Sequence, residues 1–85
     1  MEEQAYDFEN LSLGSEGMMV LILQRNLNYL GNNLIEDGLF GEETYNVVVQ
    51  FQMKHKLIAN GIVDYKTMIK VDLEFEKYSK KRKIS

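Results

Sequence analysis

The chain contains no cysteine, which removes disulfides and thiolate metal sites from consideration and permits either redox environment. Its single histidine, His55, leaves no cluster at metal-ligand spacing and no nucleophilic triad beyond that one imidazole. At the end of a helical segment its ordinary role is to complement the helix dipole. No excess of positive charge exists either. Ten Lys and Arg against thirteen Asp and Glu give −3, which argues against general binding to nucleic-acid phosphates. No run approaches the roughly 20 apolar residues of a membrane span. The first seven residues are acidic and polar where a signal peptide is basic and then apolar. The expectation is therefore another export route, an excised module, or work inside the cell. What remains is 85 residues, one domain, able to bury roughly 64% of the surface its unfolded chain exposes.

The most informative stretch covers residues 37–55, a glycine-bearing turn that runs into an apolar-rich segment. A shorter echo occupies residues 60–71. Superposing the two turns places Gly38 on Gly61, Phe40 on Val63, Gly41 on Asp64, Thr44 on Thr67 and Val48 on Val71. Two copies are too few for a solenoid, so they read as halves of one small helical domain.

Taken in order, residues 1–10 read as an acidic, extended lead-in with Tyr6 or Phe8 tucked against the body, or else as a free tail. A first helix is expected over about residues 16–30. Ser15 would be its N-cap and Glu16 would lie in its first turn; Val20, Leu23, Leu27 and Leu30 recur at helical spacing, and Gly31 supplies the residue after the C-cap. The second segment is ambiguous. Tyr45, Val47, Val49 and Phe51 alternate with polar residues as in a strand, and three consecutive valines lower helix propensity. Against that, Glu42 and Glu43 open the segment and Lys54, His55 and Lys56 close it, the order a helix dipole favours. A lone strand would also lack a partner of similar length, so helix is preferred. A third helix starts behind Asp64 as its cap, with Met68, Val71, Phe75 and Tyr78 along one side. A basic tail follows over residues 79–85.

The ordered series Leu13-Gly14-Ser15, Gly17, Val20, Leu23-Gln24, Leu27, Leu30-Gly31, then Asp37-Gly38, Phe40-Gly41, Thr44, Val48, Phe51-Gln52, then Leu57, Asn60-Gly61, Val63 and Thr67 resembles the peptidoglycan-binding domain of the three-helix type. That module is attached to cell-wall hydrolases, spore-cortex lytic enzymes, transpeptidases and phage endolysins. The resemblance covers about residues 11–73. This chain departs from the family at Glu42 and Tyr65, where prolines are usual, at Met68 for tryptophan, at Asp64 for glycine and at Asn60 for aspartate. The resemblance implies an all-α fold, a compact three-helix bundle with two DG-type loops feeding helix N-termini. The domain would span residues 11–78, between the lead-in and the tail. It further implies a shallow groove holding peptidoglycan, mainly by its stem peptide, with the glycan beside it. Bacterial cell wall or envelope is the implied location, with a phage lysin or spore protein as possible owner.

Several residues are then candidates for contact with ligand. Asp37 and Asp64 make turns or caps, or else bond stem-peptide amides or a diamino-acid ammonium. Tyr45, Asn46, Asn60 and Tyr65 adjoin the loops without being required by the apolar pattern, and Gly38 and Gly61 belong to the same loops. Exposed N–H groups at two helix starts can receive carboxylates. Gly41, Thr44, Thr67, Gln24 and Gln52 are structural candidates: the threonines hold turn backbone, and the glutamines, lying on or beside apolar faces, brace the loops. Phe40, Phe51, Val48 and Leu27 are core. Two carboxylates can support glycoside hydrolysis in principle, but a bundle this small offers little cleft to enclose a sugar. No catalytic residue, metal or cofactor is expected. The reading is a non-catalytic binding module that targets an attached hydrolase domain or partner protein to the wall. The alternative is a protein-interaction or structural module that keeps the fold without the ligand; DNA binding through the basic tail is disfavoured by the acidic charge.

Overall fold

Three helices carry the chain in the computed structural model, which describes residues 8–84: α1 (Met18–Tyr29), α2 (Glu42–Lys54) and α3 (Tyr65–Ile84). Residues 1–7, Tyr6 among them, lie outside the described residues. Among the described residues β-structure is limited to two isolated antiparallel bridges, Leu11 with Val63 and Glu16 with Leu39. The second segment is thus helical, and the alternation of its valines was not a strand signal.

The core explains the spacing. Val20, Leu23 and Leu27 of α1, Val48 and Phe51 of α2, and Met68 and Val71 of α3 are buried together with Leu11, Leu34, Phe40 and Val63 from the connecting segments. Phe40 and Val63, equivalent in the repeat, each drop from a loop into this core just before a helix begins. Phe8 packs against the cluster from the lead-in. The bundle is therefore held by its loops as much as by its helices.

The start of α1 differs from expectation. Ser15 does not cap it and Glu16 is not in its first turn; Gly17 is the N-cap position and makes no side-chain bond. The hydroxyl of Ser15 instead accepts from the Ser12 N–H at 3.0 Å. The cause is long-range. The Gly14 N–H donates to the Phe40 carbonyl, Phe40 N–H to the Ser15 carbonyl, and Gly17 N–H to the Gly38 carbonyl, all at 2.9–3.0 Å. Residues 14–17 are thereby tied to the first loop in non-helical conformation, with Gly14 and Gly17 at positive φ, and the helix can begin only after them.

Both α1 and α2 end in the same way. After α1, Gly31 at φ 116° donates to the Asn28 carbonyl and the Asn32 N–H reaches back to Leu27. After α2, Lys56 at φ 61° donates to Met53 and the Leu57 N–H reaches Gln52 at 2.8 Å. This is the Schellman arrangement, and glycine is its usual residue because left-handed backbone strains a side chain. Lys56 carries that strain. Lys56→Gly is expected to stabilise the fold by about 0.5–1 kcal/mol, read as a raised urea midpoint at unchanged slope. At the other end of the chain, α3 continues to Ile84, so residues 79–84 of the expected tail form its last turns, and Ser85 lies outside the described residues. Straight-chain Lys and Arg are good helix formers and suit a helix C-terminus.

Candidate functional site

Two buried glutamines organise the loops. Gln24, on α1, is 1% exposed. Its Oε1 accepts from the Gly38 N–H at 2.9 Å and the Asp37 N–H at 3.1 Å. Its Nε2 donates to the Leu39 carbonyl at 2.9 Å, to Thr44 Oγ1 at 3.1 Å and towards Asp37 Oδ1 at 3.3 Å. Gln52, on α2, repeats the scheme one unit later. Its Oε1 accepts from the Gly61 N–H at 2.9 Å, and its Nε2 donates to the Ile62 carbonyl at 3.0 Å and Thr67 Oγ1 at 3.2 Å. A buried amide needs both its donors and its acceptor satisfied, and here that need clamps each loop to the helix before it and the threonine after it. The threonine hydroxyls thus receive a glutamine amide, where turn backbone had been expected as their partner.

Asp37 and Asn60 make equivalent turns, each accepting from the N–H two residues on, Leu39 at 2.9 Å and Ile62 at 3.0 Å. Asp64 caps α3 by accepting from the Thr67 N–H at 2.9 Å. Gly38 and Gly61 are buried at φ near 75°. Gly61 lies directly under the ring of Tyr45, which binds the second loop to the first turn of α2. Gly41 is extended at φ −101° and serves as the N-cap position of α2.

Of the residues expected to meet ligand, Asp37, Asn46, Asn60, Asp64 and Tyr65 are exposed and Tyr45 is half-buried. The Tyr65 ring is tilted against Phe8, with centroids 6.0 Å apart. A hollow of about 210 Å³ brings Asn60 and Asp64 together with Lys56 and Lys66. Asp37, Gly38, Tyr45, Asn46, Gly61 and Tyr65 are not among its lining residues.

A cleft more than three times larger, about 740 Å³, opens elsewhere. Residues 30–32 close one end where α1 stops; Val47, Phe51 and Lys54 of α2, with its C-cap residue His55, face Glu74, Lys77 and Tyr78 of α3. None of these was singled out as a ligand contact from sequence. Phe51 read as core and His55 as a dipole partner. The available signal was the basic end of α2 set opposite the Lys70, Glu74 and Lys77 series, which shares one helix face at i, i+4 and i+7. Glu74 accepts from Lys70 at 3.2 Å and Lys77 at 3.4 Å, and His55 Nδ1 lies 4.0 Å away. The His55 ring lies tilted against Phe51, with centroids 4.4 Å apart.

Burial holds His55 below its ordinary pKa of 6.5; Glu74 opposes this, while Lys70, Lys54 and Lys77 reinforce it. Burial pushes Glu74 upwards, but hydrogen bonds from Lys70 and Lys77 and the charges of Lys77 and His55 outweigh it and leave it below 4.5. At His55 the folded chain binds fewer protons than the unfolded chain just below 6.5. Its contribution is complete above that pH and lost as pH falls through the lowered value; that of Glu74 is lost only at more acid pH. The urea midpoint is accordingly expected to fall between about pH 7 and about pH 5.5, and His55→Gln to flatten the profile there. Asp72, raised by burial and by Glu76, acts in the opposite sense.

Among the described residues no three His, Asp or Glu side chains gather closely enough to hold a metal ion, and no helix is long and apolar enough to cross a membrane. The chain matches the family model described as "Putative peptidoglycan binding domain" over residues 16–71. It is similar to a Burkholderia AP3 phage endolysin, at 38% identity and TM-score 0.71 over 74% of this chain and 24% of that one. A peptidoglycan-binding protein from Clostridioides difficile aligns at 40% identity and TM-score 0.72, over 74% and 40%. The SleB N-terminal domain aligns at 30% identity and TM-score 0.78, over 82% and 97%. The chain thus spans about a quarter of the endolysin, two-fifths of the clostridial protein and nearly all of the SleB domain.

Proposed function

The chain belongs to the peptidoglycan-binding domain family, and on that premise we propose that it is a non-catalytic module that binds peptidoglycan and holds a linked or partner wall-active protein on its substrate. The observation that carries this reading is the family match across residues 16–71, supported by a phage endolysin and a clostridial peptidoglycan-binding protein in which the matching part is a minor share of a longer chain. The duplicated glutamine clamp gives the loops a fixed backbone, which lowers the ordering cost of binding. Asp37, Tyr45, Asn46, Asn60, Asp64 and Tyr65 are the side chains offered on the loop face, with Gly38 and Gly61 shaping it. Their partners would be amide groups and ammonium groups of stem peptides, with the glycan alongside. Binding by one module would be weak, and linkage to a second site on the same polymer would raise it through effective concentration. The implied location is the cell wall.

Co-sedimentation with purified sacculi tests the reading. The chain is expected in the pellet at low and moderate salt, with no fragments released into the supernatant. Retention in the supernatant at every salt concentration would overturn it and favour a module that keeps the fold for protein contacts alone.

A further inference from the structure

We propose that the cleft between α2, α3 and the end of α1 is a second, separate contact site, a seat for a short peptide with a free carboxylate, which Lys54 and Lys77 receive. The identity of the polymer rests on the reading above; the chemistry of the seat does not. At about 740 Å³ the cleft has the size of an ordinary small-ligand site. Its floor is apolar, with Val47 and Phe51 of α2 beside Leu30, and suits methyl-sized side chains. Its rim is cationic in a chain of net charge −3: two ammoniums, Lys54 and Lys77, stand against one carboxylate, Glu74.

That carboxylate is already engaged by Lys70 and Lys77, so it has little capacity for an incoming cation. Lys54, by contrast, has no ion pair among the described residues, and the exposed Gln50 amide lies beside it. Two helix C-termini reach this cleft and on their own would repel an anion. Carbonyls in each last turn are occupied, Leu27 by both the N–H and the side-chain amide of Asn32, and Gln52 by the Leu57 N–H, which lessens that repulsion beside the side-chain ammoniums. A sugar would want an open aromatic face. Here the Phe51 ring is buried and covered by the tilted His55 ring, and Tyr78 meets Tyr29 edge-on at 5.4 Å. The cleft therefore fits peptide rather than glycan.

The test is a heteronuclear NMR titration of the full chain with N-acetyl-D-alanyl-D-alanine, its C-terminal amide, and glycerol phosphate. The free acid is expected to shift Gln50, Phe51, Lys54, His55 and Lys77. The amide should bind at least about tenfold more weakly, and Lys54→Gln should weaken the acid by about tenfold, the worth of one charge-assisted hydrogen bond. Lys54 is exposed, and an unchanged urea midpoint would show the variant is folded. Bound acid should also raise the pKa of the His55 ring, which a purely structural cleft would not do. Equal binding of acid and amide, shifts at Asn46, Asn60 and Tyr65 instead of the cleft, equal binding of glycerol phosphate, or no shifts at all would each overturn the seat. Sacculi binding with a silent cleft removes the seat and keeps the module's function; a responsive cleft without sacculi binding does the reverse.

Discussion

Gln24→Leu is expected to cost about 3–5 kcal/mol, against a total stability of roughly 4–13 kcal/mol for a chain of this size. Leucine matches the volume but offers neither donor nor acceptor. It would strand the Gly38 N–H and deprive the Thr44 hydroxyl of its donor, both of which Gln24 now satisfies from a position 1% exposed, and it would leave the Leu39 carbonyl with the Gly41 N–H at 3.1 Å alone. Asp37 is exposed, so its N–H can turn to water and adds little. The melting temperature should fall by roughly 15–35 °C. Gln24→Glu separates the two halves of the clamp. Its carboxylate still accepts from Gly38 but cannot donate to Leu39 or Thr44, and it brings a second negative charge to Asp37. It should be destabilising at neutral pH and recover partly in acid. Gln50→Leu, on the exposed face of α2, should change stability by no more than about 0.5 kcal/mol. A Gln24→Leu protein within about 1 kcal/mol of wild type would show that the clamp does not hold the loop.

Gly61→Ala is expected to cost about 2–4 kcal/mol through two separable causes. One is backbone: at φ 76° a Cβ is strained wherever it occurs. The other is contact, because that Cβ would overlap the ring of Tyr45. Gly31→Ala isolates the first cause, since Gly31 has φ 116° and open space around it. Tyr45→Ala combined with Gly61→Ala should recover the contact part but not the backbone part. A double-mutant cycle between the two positions is expected to show coupling above about 1 kcal/mol. Additivity would mean that Tyr45 does not pin the second loop to α2.

These two sites mark how far the sequence could be read. The repeat was legible because each unit carries its own local chemistry: a turn-making Asp37 or Asn60, a glycine at positive φ, an apolar residue entering the core, and a threonine one turn into the helix. Gln24 and Gln52 were legible as braces because a glutamine on or beside an apolar face must find partners. Their bond to the threonine hydroxyls was not, since it depends on how the loop folds over the helix. The start of α1 was misplaced because Ser15 and Glu16 form a good local capping signal, which is overridden by pairing with Gly38 and Phe40 more than twenty residues away. The large cleft was invisible for a related reason. Phe51 and His55 look like a core residue and a helix end, and only the spacing of α2 from α3 makes a concavity of them. The basic run at the C-terminus read as a tail because charge, not helix propensity, was taken as its signal.

The most direct test of peptidoglycan binding is a titration of the labelled chain with soluble muropeptides released from the wall. Progressive, saturable shifts confined to the loop face and the α2–α3 cleft are the predicted result, with the buried Gln24 and Gln52 amides unmoved. A spectrum unchanged to millimolar muropeptide would contradict the account.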